Sequence, residues 1–177
     1  MKTIVVLSDT HGNKKAIGKI SDIILESDYV FHLGDFYDDF VDYAYALKDK
    51  AFQVYGNCDY RTGEAGAEKI VEIEGVKILA THGHLYGVKQ SREKLIGRAK
   101  EVGATLVFYG HTHVAEIHEK NGITRTVAVL SLSSASVLVL IIAGTEQPKP
   151  MIIGINALPD KPNFLNALSS MNAIRAM

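Results

Sequence analysis

The stretch Thr3-Ile4-Val5-Val6-Leu7-Ser8-Asp9-Thr10-His11-Gly12-Asn13 sets the frame for the rest of the chain. Its β-branched and aliphatic residues form a nearly unbroken apolar run that stops at Ser8-Asp9. This predicts a short strand covered on both faces, as in a parallel sheet. After the loop from Asp9 to Asn13, the residues Ala16, Ile17, Ile20, Ile23 and Ile24 recur at helical spacing. They predict an amphipathic helix from Asn13 to about Ser27 that packs back on the strand. Strand, polar loop and helix in that order make one βα unit.

The unit recurs. Tyr29-Val30-Phe31-His32-Leu33 reads as a strand, Gly34-Asp35-Phe36-Tyr37-Asp38 as a loop, and Asp39 to Lys48 as a helix. A third strand, Ala51 to Tyr55, ends in Gly56-Asn57-Cys58-Asp59. Lys69 to Ile73 and Val76 to Ala80 flank Glu74-Gly75, which predicts a hairpin whose second arm ends in Thr81-His82-Gly83-His84. A helix follows from about Ser91 to Val102, with Gly103 just beyond its end. Thr105 to Tyr109 is a further strand, ending in Gly110-His111-Thr112-His113, and Asn121-Gly122 predicts a second tight hairpin. Apolar strands thus end repeatedly in loops that carry Asp, Asn or His. In open α/β sheets, loops at the carboxyl ends of strands gather into one crevice.

Composition narrows the class. The chain has 177 residues, 47% hydrophobic and 22% charged, with a net charge of −1. These values predict one globular domain over residues 1–177 and exclude a disordered or collagen-like chain. Lys and Arg are scattered, so no nucleic-acid footprint is expected. One cysteine cannot form an internal disulfide, which fits a reducing compartment. With no signal peptide ahead of the first strand, the expected location is the cytoplasm. The apolar stretch Val137 to Ala143 is far shorter than the ~20 residues needed to cross a bilayer, so no membrane association is expected.

Singly, the loop motifs have ordinary explanations. Asp-Thr-His after a strand can cap a helix, and Gly-Asp and Gly-Asn are common turns. Together they are harder to explain structurally. His82, His111 and His113 converging on one crevice would repel each other if protonated and waste hydrogen-bonding groups if unpaired. A divalent cation accepts imidazole nitrogen and carboxylate oxygen together, and a carboxylate can bridge two ions. Asp9, His11, Asp35, Asn57, His82, His111 and His113 therefore suit two metals. A pair of ions about 3.5–4 Å apart activates a bridging water and clamps the attacking and leaving oxygens of an in-line displacement at phosphorus. Two-metal peptide hydrolysis uses the same ligand types.

In order along the chain, Asp9-x-His11, Gly34-Asp35, Gly56-Asn57, His82 and Gly110-His111-x-His113 resemble the signature of calcineurin-like metallophosphoesterases. Leu7 to Asn13, Gly56-Asn57-Cys58-Asp59, Thr81 to His84 and Tyr109 to His113 resemble more narrowly the small YfcE-type phosphodiesterases. The likeness covers residue 1 to about residue 123. It implies an α/β fold, a four-layer α/β/β/α sandwich of two mixed sheets flanked by helices, with the metals at the loop end. It also implies that Asp9, His11 and His113 hold one ion, that Asn57, His82 and His111 hold the other, and that Asp35 bridges them. Asp35, Asn57 and His84 are the candidate catalytic residues, with His84 placed to orient the phosphate or support a ligand. Mn2+ is the metal the resemblance favours, and the mixed nitrogen and oxygen donors also accept Ni2+, Fe2+, Zn2+ or Co2+. The expected substrate is a small phosphodiester. The alternatives are a phosphomonoesterase, and a non-catalytic interaction module similar to the retromer scaffold subunit. His32 reads as a core histidine and His118 as a solvated one.

Two departures stand out. Relatives often carry a histidine after Gly-Asn, where it assists the leaving oxygen. This chain has Cys58, a poor proton donor at neutral pH, so substrates with good leaving groups are expected. Residues 124–143 lack the family's usual Asn-Pro-Gly-Ser segment, as a compensated reading-frame change or unusual divergence would produce. Within them, Val137 to Ile142 at a sheet edge would promote dimer contacts or aggregation, whereas inside a sheet it would be an ordinary strand. Residues 156–177 read as a terminal extension, with Phe164, Leu165, Leu168 and Met171 at helical spacing.

Overall fold

The structure, a computed structural model, describes residues 2–60, 65–114, 116–120, 124–128, 137–142 and 151–155, with side chains described as far as residue 114. The first strand, β1 (Lys2–Leu7), pairs in parallel with β2 (Tyr29–His32), which pairs in parallel with β3 (Ala51–Gln53). On its other side β1 takes β9 (Val137–Ile142) antiparallel, and β9 takes β10 (Met151–Ile155). The second sheet runs β4 (Glu68–Ile73), β5 (Val76–Thr81), β6 (Leu106–Tyr109), β8 (Thr124–Ala128) and β7 (Glu116–Lys120). Both sheets are mixed, as expected.

Alternation within the apolar runs explains the layering. Ile4 and Val6 of β1 and Phe31 of β2 meet Ile78, Ala80, Leu106 and Phe108 of the second sheet in one buried cluster between the sheets. Val5, Leu7 and Val30, pointing the other way, are buried against Ile17, Ile20, Ile24, Phe40 and Leu47 on the helical layer. Leu79, Val107 and Tyr109 do the same with Leu95 and Ala99 of the helix Glu93–Glu101. The result is helix, sheet, sheet, helix. A strand buried on both faces needs an unbroken apolar run, and β1 has one.

Element boundaries differ in places. The helix expected from Asn13 to Ser27 is two short helices, α1 (Lys14–Lys19) and α2 (Ser21–Glu26), broken at Ile20. Ile17, Ile20 and Ile24 are all essentially fully buried despite the break, because the helical layer follows the twisted sheet. Asn13 caps α1 by accepting from the Ala16 N–H. The helix expected over 39–48 begins with a 3-10 turn, Tyr37–Phe40, and continues as α3 (Val41–Leu47); α4 is Glu93–Glu101. The Glu74-Gly75 hairpin is present with both residues at positive φ, the signature of a type I′ turn. The arms of the second hairpin pair, while Asn121 and Gly122 lie outside the described residues.

The apolar run Val137–Ile142 is an interior strand, flanked by β1 and β10 with neither backbone edge open. Residues 156–177, with the expected terminal helix, and the side chain of His118 lie outside the described residues. Among the described residues no helix is long and apolar enough to cross a membrane.

Candidate metal centre

All seven candidate ligands sit just beyond the carboxyl ends of strands: Asp9 and His11 after β1, Asp35 after β2, Asn57 after β3, His82 after β5, and His111 and His113 after β6. Asp9, His11, Asp35, His111 and His113 hold positive φ between 47° and 68°. Such left-handed backbone costs of order 1–3 kcal/mol for a residue with a side chain, and strain of this kind clusters at functional sites. Close-approach glycines make room for the carboxylates. A Cβ on Gly56 would collide with the Asp35 carboxylate, and one on Gly110 with the Ser8 hydroxyl and Asp9 Oδ2.

The side chains form two donor sets side by side. Asp9, His11 and His113 present ligand atoms within 4.8 Å of one another, and so do Asp35, His82 and His111. Asp35 also lies within that range of His11 and Cys58, so its carboxylate stands between the sets. His113 Nε2 is 3.1 Å from Asp9 Oδ1, while Asp9 Oδ2 accepts from the Ser8 hydroxyl and from the His111 N–H at 3.1 Å. Around His82 Nε2 stand Asn57 Oδ1 at 3.2 Å, His111 Nδ1 at 3.2 Å and Asp35 Oδ1 at 3.4 Å.

The tautomer of His82 makes this convergence informative. Its Nδ1 is 2.8 Å from the Leu33 carbonyl, an acceptor, so Nδ1 carries a proton, and in the neutral ring Nε2 then presents a lone pair. One proton on His111 can bridge the two imidazoles but leaves the Asn57 and Asp35 oxygens facing another acceptor. Burial, then the neighbouring His82 and Lys89, push His111 down to about 4, so a second proton is disfavoured at neutral pH. Burial raises the Asp35 pKa, but the Cys58 N–H at 2.8 Å and His82 outweigh it, and the net shift is downward. An ionised carboxylate beside imidazole nitrogens and an amide oxygen is a donor set that fits a divalent cation.

His84, half-buried in the 3-10 turn His84–Tyr86, has its ring 5.3 Å from that of His82 and 6.2 Å from that of His111. Cys58 is exposed beside Asn57 and Asp35, and partial burial of its thiol with the Asp35 carboxylate pushes it up to about 11. It remains a neutral thiol and a weak acid at neutral pH.

Two residues that organise the loops are not ligand candidates. Asp59 accepts four backbone N–H groups: Gly56 and Asp35 at Oδ2, 2.7 and 2.8 Å, and Phe36 and Tyr37 at Oδ1, 2.6 and 3.2 Å. A turn cap would require only the first. The carboxylate also clasps the Asp35 loop to the Asn57 loop, at positive φ for both Asp35 and Phe36. Asp39 clasps the first loop, accepting from the Gly12 N–H at 2.7 Å and the Thr10 hydroxyl at 2.8 Å. Neither clasp has a local signal, because apart from Gly56 the partners are more than 20 residues away.

The model of the calcineurin-like phosphoesterase superfamily domain matches residues 1–135, and the chain belongs to that family. It is 35% identical over 113 residues to the probable metallophosphoesterase YsnB of Bacillus subtilis, covering 63% of this chain and 64% of YsnB. The chain therefore spans just under two thirds of that relative's length. Among solved structures, a predicted phosphoesterase from Streptococcus pneumoniae superposes with a TM-score of 0.70 at 27% identity, over 86% of this chain and 89% of the other. Vps29 of Entamoeba histolytica complexed with Zn2+ shares the fold, with a TM-score of 0.68 at 18% identity, over 86% and 98%. The family match extends past the likeness read to residue 123 and stops before β9.

Proposed function

We propose that the protein is a two-metal phosphodiesterase acting on small phosphodiesters in the cytoplasm. The observation that carries this reading is the convergence of Asn57 Oδ1, Asp35 Oδ1 and His111 Nδ1 on Nε2 of His82, next to the set of Asp9, His11 and His113. In this reading Asp9, His11 and His113 hold one ion, Asn57, His82 and His111 the other, and Asp35 stands between them. Two divalent ions bound there supply an activated water and neutralise charge at phosphorus. Mn2+ is the preferred metal, with Zn2+, Fe2+, Ni2+ and Co2+ compatible with the same donors.

The protein's own groups set the remaining terms. His82 is locked by the Leu33 carbonyl, so its lone pair is aimed before any ion arrives. His84 lies beside His82 and His111, where its imidazole can orient a phosphate oxygen. Lys89 adds a positive charge near His111, favourable to an anionic substrate. Cys58 offers little proton to a departing alkoxide, so turnover depends on leaving groups that depart unaided. The full donor set favours an enzyme over a non-catalytic interaction module.

The test is hydrolysis of an activated aryl phosphodiester and its matching monoester by metal-stripped protein, with Mn2+ restored, beside Asp35→Ala. Metal-dependent turnover of the diester that disappears in the variant supports the reading. Preference for the monoester makes the protein a phosphomonoesterase instead. No turnover by folded, metal-loaded protein favours the interaction module.

A further inference from the structure

Three buried polar side chains behind the metal centre, His32, Thr10 and Asp39, play no part in the reading above. His32 and Thr10 are fully buried and Asp39 is 9% exposed. His32 lies at the end of β2, its ring stacked on Phe40 at 5.8 Å. Any buried imidazole must have both nitrogens satisfied, but here the two partners, the Gly34 N–H and the Thr10 hydroxyl, come from two different loops that carry candidate ligands.

The protons can be assigned. The Gly34 N–H donates to His32 Nδ1 at 3.2 Å, so Nδ1 has no proton of its own. Burial pushes His32 down to about 4, so the ring is neutral and its single proton is on Nε2. Nε2 is 3.3 Å from Thr10 Oγ1, which must therefore accept. The Thr10 hydroxyl has one proton and three acceptors in reach: the Asp35 carbonyl at 3.4 Å, the Phe36 carbonyl at 3.0 Å and Asp39 Oδ2 at 2.8 Å. The carboxylate is nearest and charged, and takes it. Asp39 Oδ2 also accepts from the Gly12 N–H at 2.7 Å.

The chain of donors thus runs in one direction, from the Gly34 N–H through His32 and Thr10 to Asp39, and touches both loops that carry the first ligands. Thr10 lies between Asp9 and His11, and Gly34 precedes Asp35. Two backbone bonds join the same loops, Asp9 N–H to the Gly34 carbonyl at 2.9 Å and Thr10 N–H to the Asp35 carbonyl at 3.1 Å. We propose that His32 and Thr10 are positioning residues that set the placement of Asp9 and His11 relative to Asp35, and through it the metal affinity of the site. This rests on the two-metal reading and adds to it residues that touch neither ion nor substrate.

Calorimetric titration of the stripped full-length protein with Mn2+ alone tests it, comparing wild type with Thr10→Val, Thr10→Ser and His32→Phe. Valine keeps the shape of threonine and removes the hydroxyl; serine keeps the hydroxyl. Partners of metal ligands typically contribute ten- to hundredfold to affinity. The expected result is a loss of about that size in Thr10→Val and His32→Phe, with Thr10→Ser staying within about threefold of wild type. Should His32→Phe fail to fold, the valine and serine pair decides alone. Wild-type affinity in a folded Thr10→Val variant overturns the proposal, as does an equal loss in valine and serine variants. Absence of Mn2+ binding by the wild type overturns the metal centre itself, and the positioning role with it.

Discussion

His82 Nε2 and His111 Nδ1 face each other at 3.2 Å, and the His82 proton is already committed to the Leu33 carbonyl on the far side of the ring. With both rings neutral the pair has at most one proton between two lone pairs, with the Asn57 and Asp35 oxygens close by. A divalent ion held there would satisfy all four donors at once. Added Mn2+ should therefore stabilise the stripped protein, by about 2.7 kcal/mol at a hundredfold excess over the dissociation constant. His111→Ala should lose most of that gain. Thermal unfolding with and without metal measures both.

Gly56 and Gly18 make opposite predictions for the same substitution. A Cβ on Gly56 runs into the Asp35 carboxylate, whereas one on Gly18 in α1 meets nothing within 4 Å. Gly56→Ala should displace Asp35 and abolish metal binding. Gly18→Ala should leave metal binding unchanged and stabilise by about 0.5–1 kcal/mol, the usual helix preference for alanine. Urea unfolding and metal titration of the two variants separate these effects.

Asp59 should behave as a structural clasp whose loss reaches the metal site. Asn in its place keeps one acceptor oxygen and loses the charge, leaving two of the four N–H groups without an acceptor. Asp59→Asn should cost about 3–6 kcal/mol in chemical unfolding, two hydrogen bonds to a charged group at about 1.5–3 kcal/mol each. It should also weaken metal binding, because the freed groups hold the Asp35 loop.

Cys58→His should restore an acid beside the leaving oxygen. Turnover of phosphodiesters with poor leaving groups should rise by tenfold or more, while activated aryl diesters change little, because general acid catalysis matters most where the departing oxygen is basic. Steady-state rates across a series of leaving groups read this as a change in slope.

Acid should weaken the stripped protein through His32. Its folded pKa, about 4, is below the ordinary 6.5, because burial disfavours the charged ring. Between those values the unfolded chain binds the extra proton. The contribution is complete above about pH 6.5 and is lost as pH falls toward 4, amounting to about 3 kcal/mol at most. Urea unfolding of wild type and His32→Phe across that range should show the smaller pH dependence in the variant.

Much of this architecture is legible in particular residues. Ile4 to Leu7, apolar on both parities, announces a strand buried on both faces, and Glu74-Gly75 announces its hairpin. The ligands are legible because each follows a strand, where topology gathers them. What was not legible is non-local. The place of Val137–Ile142 beside β1 depends on a pairing more than a hundred residues apart, and a run without alternation does not tell an edge from an interior. The break at Ile20 leaves the apolar spacing intact, so periodicity passes over it. Asp59 looks like a turn cap and Asp39 like a helix start, since their distant partners leave no mark nearby. His32 reads as packing because its hydrogen bonds link separate loops.

Metal analysis combined with electron paramagnetic resonance of the Mn2+-reconstituted protein tests the paired centre most directly. The account predicts two ions per chain with the exchange-coupled signal of neighbouring Mn2+, and loss of that coupling in Asp35→Ala. A single ion per chain, or two ions with uncoupled signals, would contradict it.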